Sequence, residues 1–257
     1  MQLAANVTAG DAVDWQAMDG KRVYRTVKNL RQRIFRASRQ GDLTRVRSRQ
    51  RLMLKSRANA LESVRRVTQM NHGKATPGID HVVVTTPEER GALCHQLSAL
   101  DLHKVHPVRR VSIPKRTGKR PLGIPTIVDR GVQAMVKNAL EPLWEARFAG
   151  SSDGFRPGRG CHDAIEKVFR LARSNTTRPW VVDADIEGAF NNIGHAALVQ
   201  AIGNFPARGL IKQWLKAGYV EAEMLPPTEA GVPQGGVRSP LLLNVARHGM
   251  EQALGIA

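Results

Sequence analysis

The sequence predicts an α+β or mixed fold, in which short strands are separated by longer helical stretches. Its 257 residues, of which 42% are hydrophobic, suffice for one large domain or for a small domain with an extension. Apolar residues recur at three- and four-residue steps over several long stretches, which is typical of amphipathic helices. Short β-prone runs bounded by turn residues lie between these stretches, and this alternation indicates the α+β class.

The N-terminal part is predicted to be a basic helical region over residues 15–80, after a disordered segment at residues 1–14. Apolar residues at helical spacing alternate there with many arginines, and Gly41-Asp42 separates two such stretches. The predicted elements are helices at Val23–Arg39 and Leu43–Met70 and a loop at Asn71–Asp80.

Positive charge is concentrated in this region. The whole chain has a formal net charge of +17, and residues 1–74 contain 17 Lys and Arg against 5 Asp and Glu, which is +12. Helices with mixed charge usually present a solvated charged face, and that interpretation stays open. Because the charge here is almost entirely of one sign, a polyanionic partner such as RNA or DNA is favoured.

Residues 81–257 are predicted to form a second domain of helices and strands. Helices are predicted at Pro87–Leu100, Thr126–Phe148, Cys161–Ser174, Ala196–Ile202, Gly209–Ala217 and Ser239–Leu254. Strands are predicted at Arg109–Pro114, Arg120–Pro125, Pro179–Ile186 and Tyr219–Met224, with a hairpin turn at Lys115–Lys119 and a tight loop at Gly231–Gly236. Thr126 or Asp129 is expected to cap the long apolar helix, and Pro142 to interrupt it.

Several classes of protein are disfavoured by composition. The two cysteines, Cys94 and Cys161, are not at metal-ligand spacing and fit a reduced cytosolic protein. No apolar run is long enough to span a membrane, and the N-terminus lacks a signal-peptide pattern. We therefore expect a cytoplasmic protein without a membrane partner.

The candidate catalytic motif is the segment Asp183–His195. Asp185 follows the apolar run Trp180–Val182, so its carboxylate is expected at the end of a strand. A carboxylate there can hold Mg²⁺ over a cleft, with the backbone carbonyl of Ile186 as a further oxygen ligand, and phosphoryl transfer uses such ions. Taken alone, an aspartate in this position is more often a helix cap or a turn former.

Five blocks in order resemble the reverse transcriptases encoded by group II introns, the intron maturases. The resemblance implies right-hand polymerase fingers and a partial palm, preceded by a basic helical N-terminal extension. The blocks are Trp15–Asp80, Ile113–Thr126 with Asp129-Arg130, Gly154–Ala164, the Asp185 block, and Gly231–Gly236 followed by Ser239–Leu242.

The resemblance also implies roles for single residues, each of which has a plainer local interpretation. Lys115 and Arg120 would grip the incoming triphosphate, or would belong to a generic basic hairpin. Phe190 would exclude a 2′-hydroxyl, or would be an ordinary core ring. Gln234 would line the nucleotide pocket, or would lie in a plain turn.

Nucleic-acid contacts are expected at two places. The loop that carries Arg156 and Arg159 would contact the template or primer backbone, or would be a turn before a helix. The remaining predicted contacts come from the basic N-terminal region and are Arg31, Arg65, Arg66 and Lys74.

The chain departs from the family pattern in one main respect. The second metal motif of the family, Tyr-Ala-Asp-Asp, does not occur after Gln234. In addition, Asn191 and Gly194 replace a frequent Asp, and Arg238 replaces an apolar residue, where a buried charge is costly unless it is paired or reaches solvent. We therefore expect a truncated chain that is inactive alone as a polymerase, with an incomplete Mg²⁺ site.

The expected partners are RNA, as intron or template, a DNA primer, and a complementary C-terminal polypeptide that supplies the missing aspartates. Two alternatives stay open. The chain is a non-enzymatic RNA-binding module or remnant that uses its basic helices alone, or it is a related reverse transcriptase from outside introns.

Overall fold

The computed structural model describes residues 14–99, 103–114, 118–173, 183–221, 230–232, 235–253 and 255. These residues form ten α-helices and one three-stranded sheet, which agrees with the predicted α+β class. The disordered segment predicted at residues 1–14 lies almost entirely outside the described residues.

The first helix, α1, spans Gly20–Arg39 and begins where Asp19 caps it. The Asp19 carboxylate accepts hydrogen bonds from the backbone N–H groups of Lys21 and Arg22, and so satisfies donors that the first turn leaves free. Its buried face consists of Val27, Leu30, Ile34 and Ala37. The predicted apolar stripe of this helix is therefore confirmed.

The prediction of one long helix at Leu43–Met70 is wrong. The chain instead forms α2 (Leu43–Leu54), α3 (Arg57–Arg65) and a π-helical turn at Arg66–Met70. The buried amide of Asn59 bridges the break, because it donates hydrogen bonds to the backbone oxygens of Met53 and Met135. The break lets both halves pack against the same helix, α5.

The central helix, α5, spans Ile127–Glu145, and its side chains are buried on nearly every side by α1, α2, α3 and α4. Thr126 caps it, as one of the two predicted alternatives, because its hydroxyl accepts a hydrogen bond from the backbone N–H of Asp129. Pro142 lies within the helix, so the prediction that it interrupts the helix is wrong.

The sheet has the order β2-β1-β3, with β1 at Val108–Pro114, β2 at Lys119–Ile124 and β3 at Tyr219–Val220. Strands β1 and β2 form the predicted antiparallel hairpin, in which Arg109 pairs with Ile124. Strand β3 runs parallel to β1 and brings a distant part of the chain beside the hairpin.

The remaining helices have the predicted positions with one exception. They are α4 (Pro87–Ser98), α6 (Cys161–Ala172), α7 (His195–Ile202), α8 (Arg208–Lys216), α9 (Ser239–Arg247) and α10 (Met250–Ala253). The closing helix predicted at Ser239–Leu254 is divided into α9 and α10, because Gly249 adopts a φ of 87° that a continuous helix does not allow.

One strand prediction also needs correction. Of the strand predicted at Pro179–Ile186, the structure describes only residues 183–186, and these form no strand. They lead directly into a turn at residues 187–192. The strand predicted at Tyr219–Met224 is confirmed at Tyr219–Val220, and residues 222–229 lie outside the described part of the chain.

None of the helices within the described residues combines the length and the apolar character that crossing a membrane requires.

Candidate functional site

The Asp185 segment forms an exposed turn. The carboxylate of Asp185 is exposed, and its Oδ1 accepts a hydrogen bond of 2.9 Å from the backbone N–H of Ile186. Gly188 closes the turn, because its carbonyl accepts hydrogen bonds from the backbone N–H groups of Asn191 and Asn192 at 2.7 and 3.1 Å. Gly188 has a φ of 59°, which a residue with a side chain rarely adopts.

This turn is joined by backbone hydrogen bonds to the segment 230–232. The N–H of Val232 donates to the carbonyl of Phe190 at 2.7 Å, and the N–H of Gly231 donates to the carbonyl of Ile193 at 2.9 Å. Only glycine fits at position 231, because a Cβ there would lie 2.7 Å from the Asn191 carbonyl oxygen. Two motifs that are distant in sequence therefore form one unit.

A cleft of about 270 Å³ separates this unit from the sheet. Its lining combines the β1–β2 hairpin, the Asp185 turn, β3 and the segment 230–232. The lining residues are Val108, Arg110, Pro121, Gly123, Asn191, Gly218, Tyr219, Ala230, Gly231 and Val232. The cleft thus brings together parts of three of the five sequence blocks.

Arg110 is a cleft residue that sequence reasoning missed. Its guanidinium lies 4.2 Å from the centroid of the Tyr219 ring and 3.6 Å from the carboxylate of Glu221. Side chains alternate along a strand, so the spacing from Val108 could have placed Arg110 on the cleft face. Its partners come from β3 and its end, a pairing that the local pattern does not reveal.

Phe190 is partly buried and packs against the hydrophobic core. Its ring meets the edge of the Phe155 ring at a centroid distance of 6.4 Å. Phe190 lies in the turn that follows the candidate metal ligand Asp185, and its predicted role against a 2′-hydroxyl stays a prediction. Phe155 has a φ of 58°, so its side chain is held in an uncommon backbone conformation.

The residues of the hairpin and the pocket loop that are predicted to bind the nucleotide are only partly described. Arg120 is exposed on β2, where it pairs across the hairpin with Ile113. Lys115 and Gln234 lie outside the described residues. The contribution of all three to nucleotide binding stays a prediction.

Arg156 and Arg159 hold their own loop together. Arg156 is buried, donates two hydrogen bonds from Nη1 to the carbonyls of Ala149 and Ser152, and forms an ion pair with Glu145 at 2.9 Å. Arg159 forms an ion pair with Asp153 at 2.9 Å. These contacts engage the guanidinium of Arg156 within the fold. The predicted contact to the nucleic-acid backbone therefore suits the more exposed Arg159 better.

Asp153 anchors the same loop to helix α6. The Lys167 ammonium lies 2.6 Å from its Oδ1, and this hydrogen bond, together with that from Arg159, lowers the pKa of Asp153. The loop charges are thereby largely neutralised by one another.

The predicted basic contacts of the N-terminal region differ in availability. Arg31 binds the carboxylate of Glu141 and the side-chain oxygen of Asn138, so its guanidinium is used inside the fold. Arg65 lies 3.8 Å from Glu62. Arg66 and Lys74 are exposed, although Lys74 also donates a hydrogen bond to the carbonyl of Gln69.

A buried polar cluster around Asp129 was also missed by sequence reasoning. The carboxylate of Asp129 accepts hydrogen bonds from Trp214 Nε1 at 2.8 Å and from Thr126 Oγ1 at 2.9 Å, and lies 2.9 Å from His103 Nε2. Burial by itself raises the pKa of Asp129, but these hydrogen bonds outweigh it and hold the pKa below its ordinary value.

Arg238 belongs to the same cluster. It is 3% exposed, and its guanidinium lies 4.5 Å from the centroid of the Trp214 ring. Within the described part of the chain, its Nε and Nη1 have no hydrogen-bond partner. Burial lowers the pKa of Arg238 to about 9, against the attraction of Asp129. The aromatic ring and the nearby carboxylate therefore offset only part of the cost expected for a charge at this position.

The neighbouring Arg130 connects the Asn71–Asp80 loop to α5. Its guanidinium donates hydrogen bonds of 2.9 and 2.6 Å to the carbonyls of Gly73 and Thr76. Gly78 of the same loop packs so closely that a Cβ there would lie 2.6 Å from the Cα of Thr126.

The described residues supply an incomplete ligand set for metal ions. Within the ranges that the structure describes, no group of three or more His, Cys, Asp or Glu could hold a metal ion. Asp185 and the carbonyl of Ile186 offer oxygen ligands of the kind Mg²⁺ prefers, but a two-metal centre needs more carboxylates. No catalytic step through a metal follows from these residues alone.

Comparison with known proteins assigns the family. Residues 15–97 match the N-terminal domain of reverse transcriptase, and residues 113–255 match reverse transcriptase (RNA-dependent DNA polymerase). The protein YkfC of Escherichia coli (strain K12) is 39% identical over 205 residues, which are 76% of this chain and 54% of YkfC.

Two further relatives are intron proteins by name. The group II intron-encoded protein LtrA of Lactococcus lactis subsp. cremoris is 38% identical over 189 residues, which are 71% of this chain and 31% of LtrA. An uncharacterized 91 kDa protein in the cob intron of Schizosaccharomyces pombe is 36% identical over 151 residues, which are 57% of this chain and 18% of that protein. The chain thus spans about half the length of YkfC and about a third of that of LtrA. It belongs to the reverse transcriptase family, with the group II intron-encoded reverse transcriptases and maturases.

Proposed function

We propose that this chain forms the fingers and part of the palm of a group II intron reverse transcriptase–maturase. In this proposal the N-terminal helices bind intron or template RNA, and the cleft takes the incoming deoxynucleotide beside a DNA primer. The observation that carries the proposal is the cleft itself, where the hairpin, the Asp185 turn and the segment 230–232 converge.

The proposed residue roles follow from position and chemistry. Asp185 and the carbonyl of Ile186 would hold Mg²⁺, which would neutralise charge on the transferred phosphoryl group. Arg120 and Lys115 would bind the triphosphate by hydrogen bonds to its oxygens. Phe190 would restrict the sugar that enters the cleft. The 257 residues contain no adjacent aspartate pair, so we propose that other carboxylates must complete the centre.

A primer-extension assay tests whether Asp185 needs carboxylates from a second polypeptide. Purified chain is incubated with an RNA template, a DNA primer, Mg²⁺ and deoxynucleotides, and extension is compared with that of Asp185→Ala. We expect no extension above the variant for the chain alone. Addition of a polypeptide that carries the Tyr-Ala-Asp-Asp segment is expected to give extension that depends on Asp185. Robust extension by the chain alone would show that no complementary carboxylates are needed.

A non-enzymatic role in RNA binding is the second candidate. It is favoured by the charge of +12 over residues 1–74 and by the exposure of most of these cations. Binding through phosphate contacts releases counterions, so the logarithm of the association constant should fall linearly with that of the salt concentration. RNA binding by the chain alone, with no extension even after the complementing polypeptide is added, would support this candidate over the first.

A further inference from the structure

A second groove lies away from the cleft, between helices α1, α3 and α5 and the loop at residues 155–157. We call it the N-terminal groove, and its volume is about 500 Å³. Tyr24 from α1 and Phe155 from the loop line it, and their side chains are 53% and 62% exposed. Exposed aromatic rings on a groove of this size provide faces on which a flat ring can stack.

The charge of the groove favours an anion. Its described lining contains five cationic residues and two carboxylates, so the lining carries a net positive charge. Arg31 and Lys137 are held by Glu141, and Arg156 by Glu145. The two further cations, Lys28 and Arg66, are exposed at the groove. Lys and Arg in such a place bind phosphate oxygens by charge-assisted hydrogen bonds.

Glu62 gives the groove a specific hydrogen-bond acceptor. Its Oε2 is buried and has no hydrogen-bond donor among the residues that the structure describes, of which the nearest cation, Nη1 of Arg65, is 3.8 Å away. Burial raises the pKa of Glu62 above its ordinary value. A buried acceptor without a donor is costly, so a ligand that brings an N–H group to Glu62 would recover this cost.

We propose that the N-terminal groove binds one unpaired guanine nucleotide of RNA, with its base on Tyr24, its Watson–Crick edge on Glu62 and its phosphate at Lys28 and Arg66. This proposal rests on the proposed RNA-binding function. Guanine is the best match, because its N1–H and amino group offer two adjacent donors to a carboxylate. Adenine and cytosine offer an amino group beside an acceptor nitrogen, which the carboxylate repels.

Short RNAs of identical length test the proposal. Labelled single strands of uridines with one central G, A, C or U are titrated with the full chain, and binding is followed by fluorescence anisotropy at fixed salt. We expect the central G to bind about tenfold more tightly than the others. We expect Tyr24→Ala to lose about tenfold in affinity, because base–aromatic stacking is removed.

Matched variants separate the groove from general RNA binding. Phe35, on the same helix α1, is 38% exposed and does not line the groove, so Phe35→Ala is expected to bind like the unchanged chain. Glu62→Gln is expected to keep affinity for the uridine strand and to lose the preference for G. The preference is the ratio of the affinities for the G strand and the uridine strand. Because both affinities are measured on one protein sample, their ratio does not depend on the folded fraction.

The possible outcomes distinguish the groove proposal, the role of Glu62 and the RNA-binding function from one another. Binding of all four RNAs with equal affinity, unchanged by Tyr24→Ala, would overturn the groove proposal and leave the RNA-binding function standing. A preference for G that Glu62→Gln leaves intact would overturn the assignment of Glu62. Failure to bind any of the RNAs at low salt would overturn both the groove and the proposed RNA-binding function.

Discussion

Nε1 of Trp214 donates a hydrogen bond of 2.8 Å to Oδ1 of Asp129, and this contact joins helix α8 to the first turn of α5. Both residues are buried, and they are 85 positions apart in the sequence. The guanidinium of Arg238, the residue directly before α9, lies against the same indole. The start of α9 therefore contacts this pair as well. The contact therefore couples α5, which follows β2, to α8, which precedes β3.

Removal of the indole donor should measure this coupling. Trp214→Phe is expected to lower the free energy of unfolding by about 1–2 kcal/mol more than Trp144→Phe, because it leaves a buried carboxylate without one donor. Trp144 is the matched control, since it is equally buried but its Nε1 has no hydrogen-bond partner in the ranges that the structure describes. Chemical denaturation measures both losses, and equal losses would contradict the coupling.

The ionised form of Asp129 should contribute stability that acid removes. Its pKa in the folded chain lies below the ordinary value of 3.8, so the unfolded chain binds the proton first as the pH falls. The contribution is present above pH 3.8 and is lost as the pH falls through the lower folded pKa. We expect Asp129→Asn to be less stable than the unchanged chain by about 2 kcal/mol at pH 7, and this difference to shrink below about pH 4.

Denaturation at several pH values checks this expectation. The exposed Asp183→Asn variant is the control, and it should stay within about 0.5 kcal/mol of the unchanged chain throughout. A difference for Asp129→Asn that is constant from pH 7 to pH 3 would mean that the carboxylate charge contributes nothing.

The close approach of Gly78 to α5 should not tolerate a side chain. Gly78→Ala would place a Cβ 2.6 Å from the Cα of Thr126, and we expect it to cost about 1–3 kcal/mol of unfolding free energy. Gly209 lies within α8, and outside the adjoining backbone of that helix no atom of the described residues is within 4 Å of an added Cβ. Gly209→Ala is therefore expected to stabilise the helix by about 0.5–1 kcal/mol. Thermal and chemical denaturation test the opposite signs, and a loss from both would argue against the steric explanation.

The apolar face of α6 is uncovered in the described structure. Phe169 is 65% exposed, and Ile165 and Val168 beside it are similarly exposed. Phe169→Ser should therefore change the free energy of unfolding by less than about 0.5 kcal/mol and raise the concentration at which the chain aggregates. The control is buried Phe205, whose replacement by Ser should cost about 3–5 kcal/mol. A loss above about 2 kcal/mol for Phe169→Ser would mean that this face is covered.

Much of the fold could be predicted because it depends on local pattern. The stripe of α1, the cap at Thr126 and the β1–β2 hairpin follow from residue spacing and turn chemistry, which act over a few residues. The break in the helix predicted at Leu43–Met70 could not be predicted in this way, because it is stabilised by Asn59 contacting the distant Met135.

The candidate site divides along the same line. Its motifs, the family and the concentration of positive charge are determined by the sequence alone, because residue identity and order carry them. Only the tertiary structure decided that Arg31 and Arg156 are engaged within the fold, that Arg110 meets Tyr219 and Glu221, and that Asp129 meets Trp214. Each of these depends on which side chains meet across the chain, and local periodicity contains no information about such long-range partners.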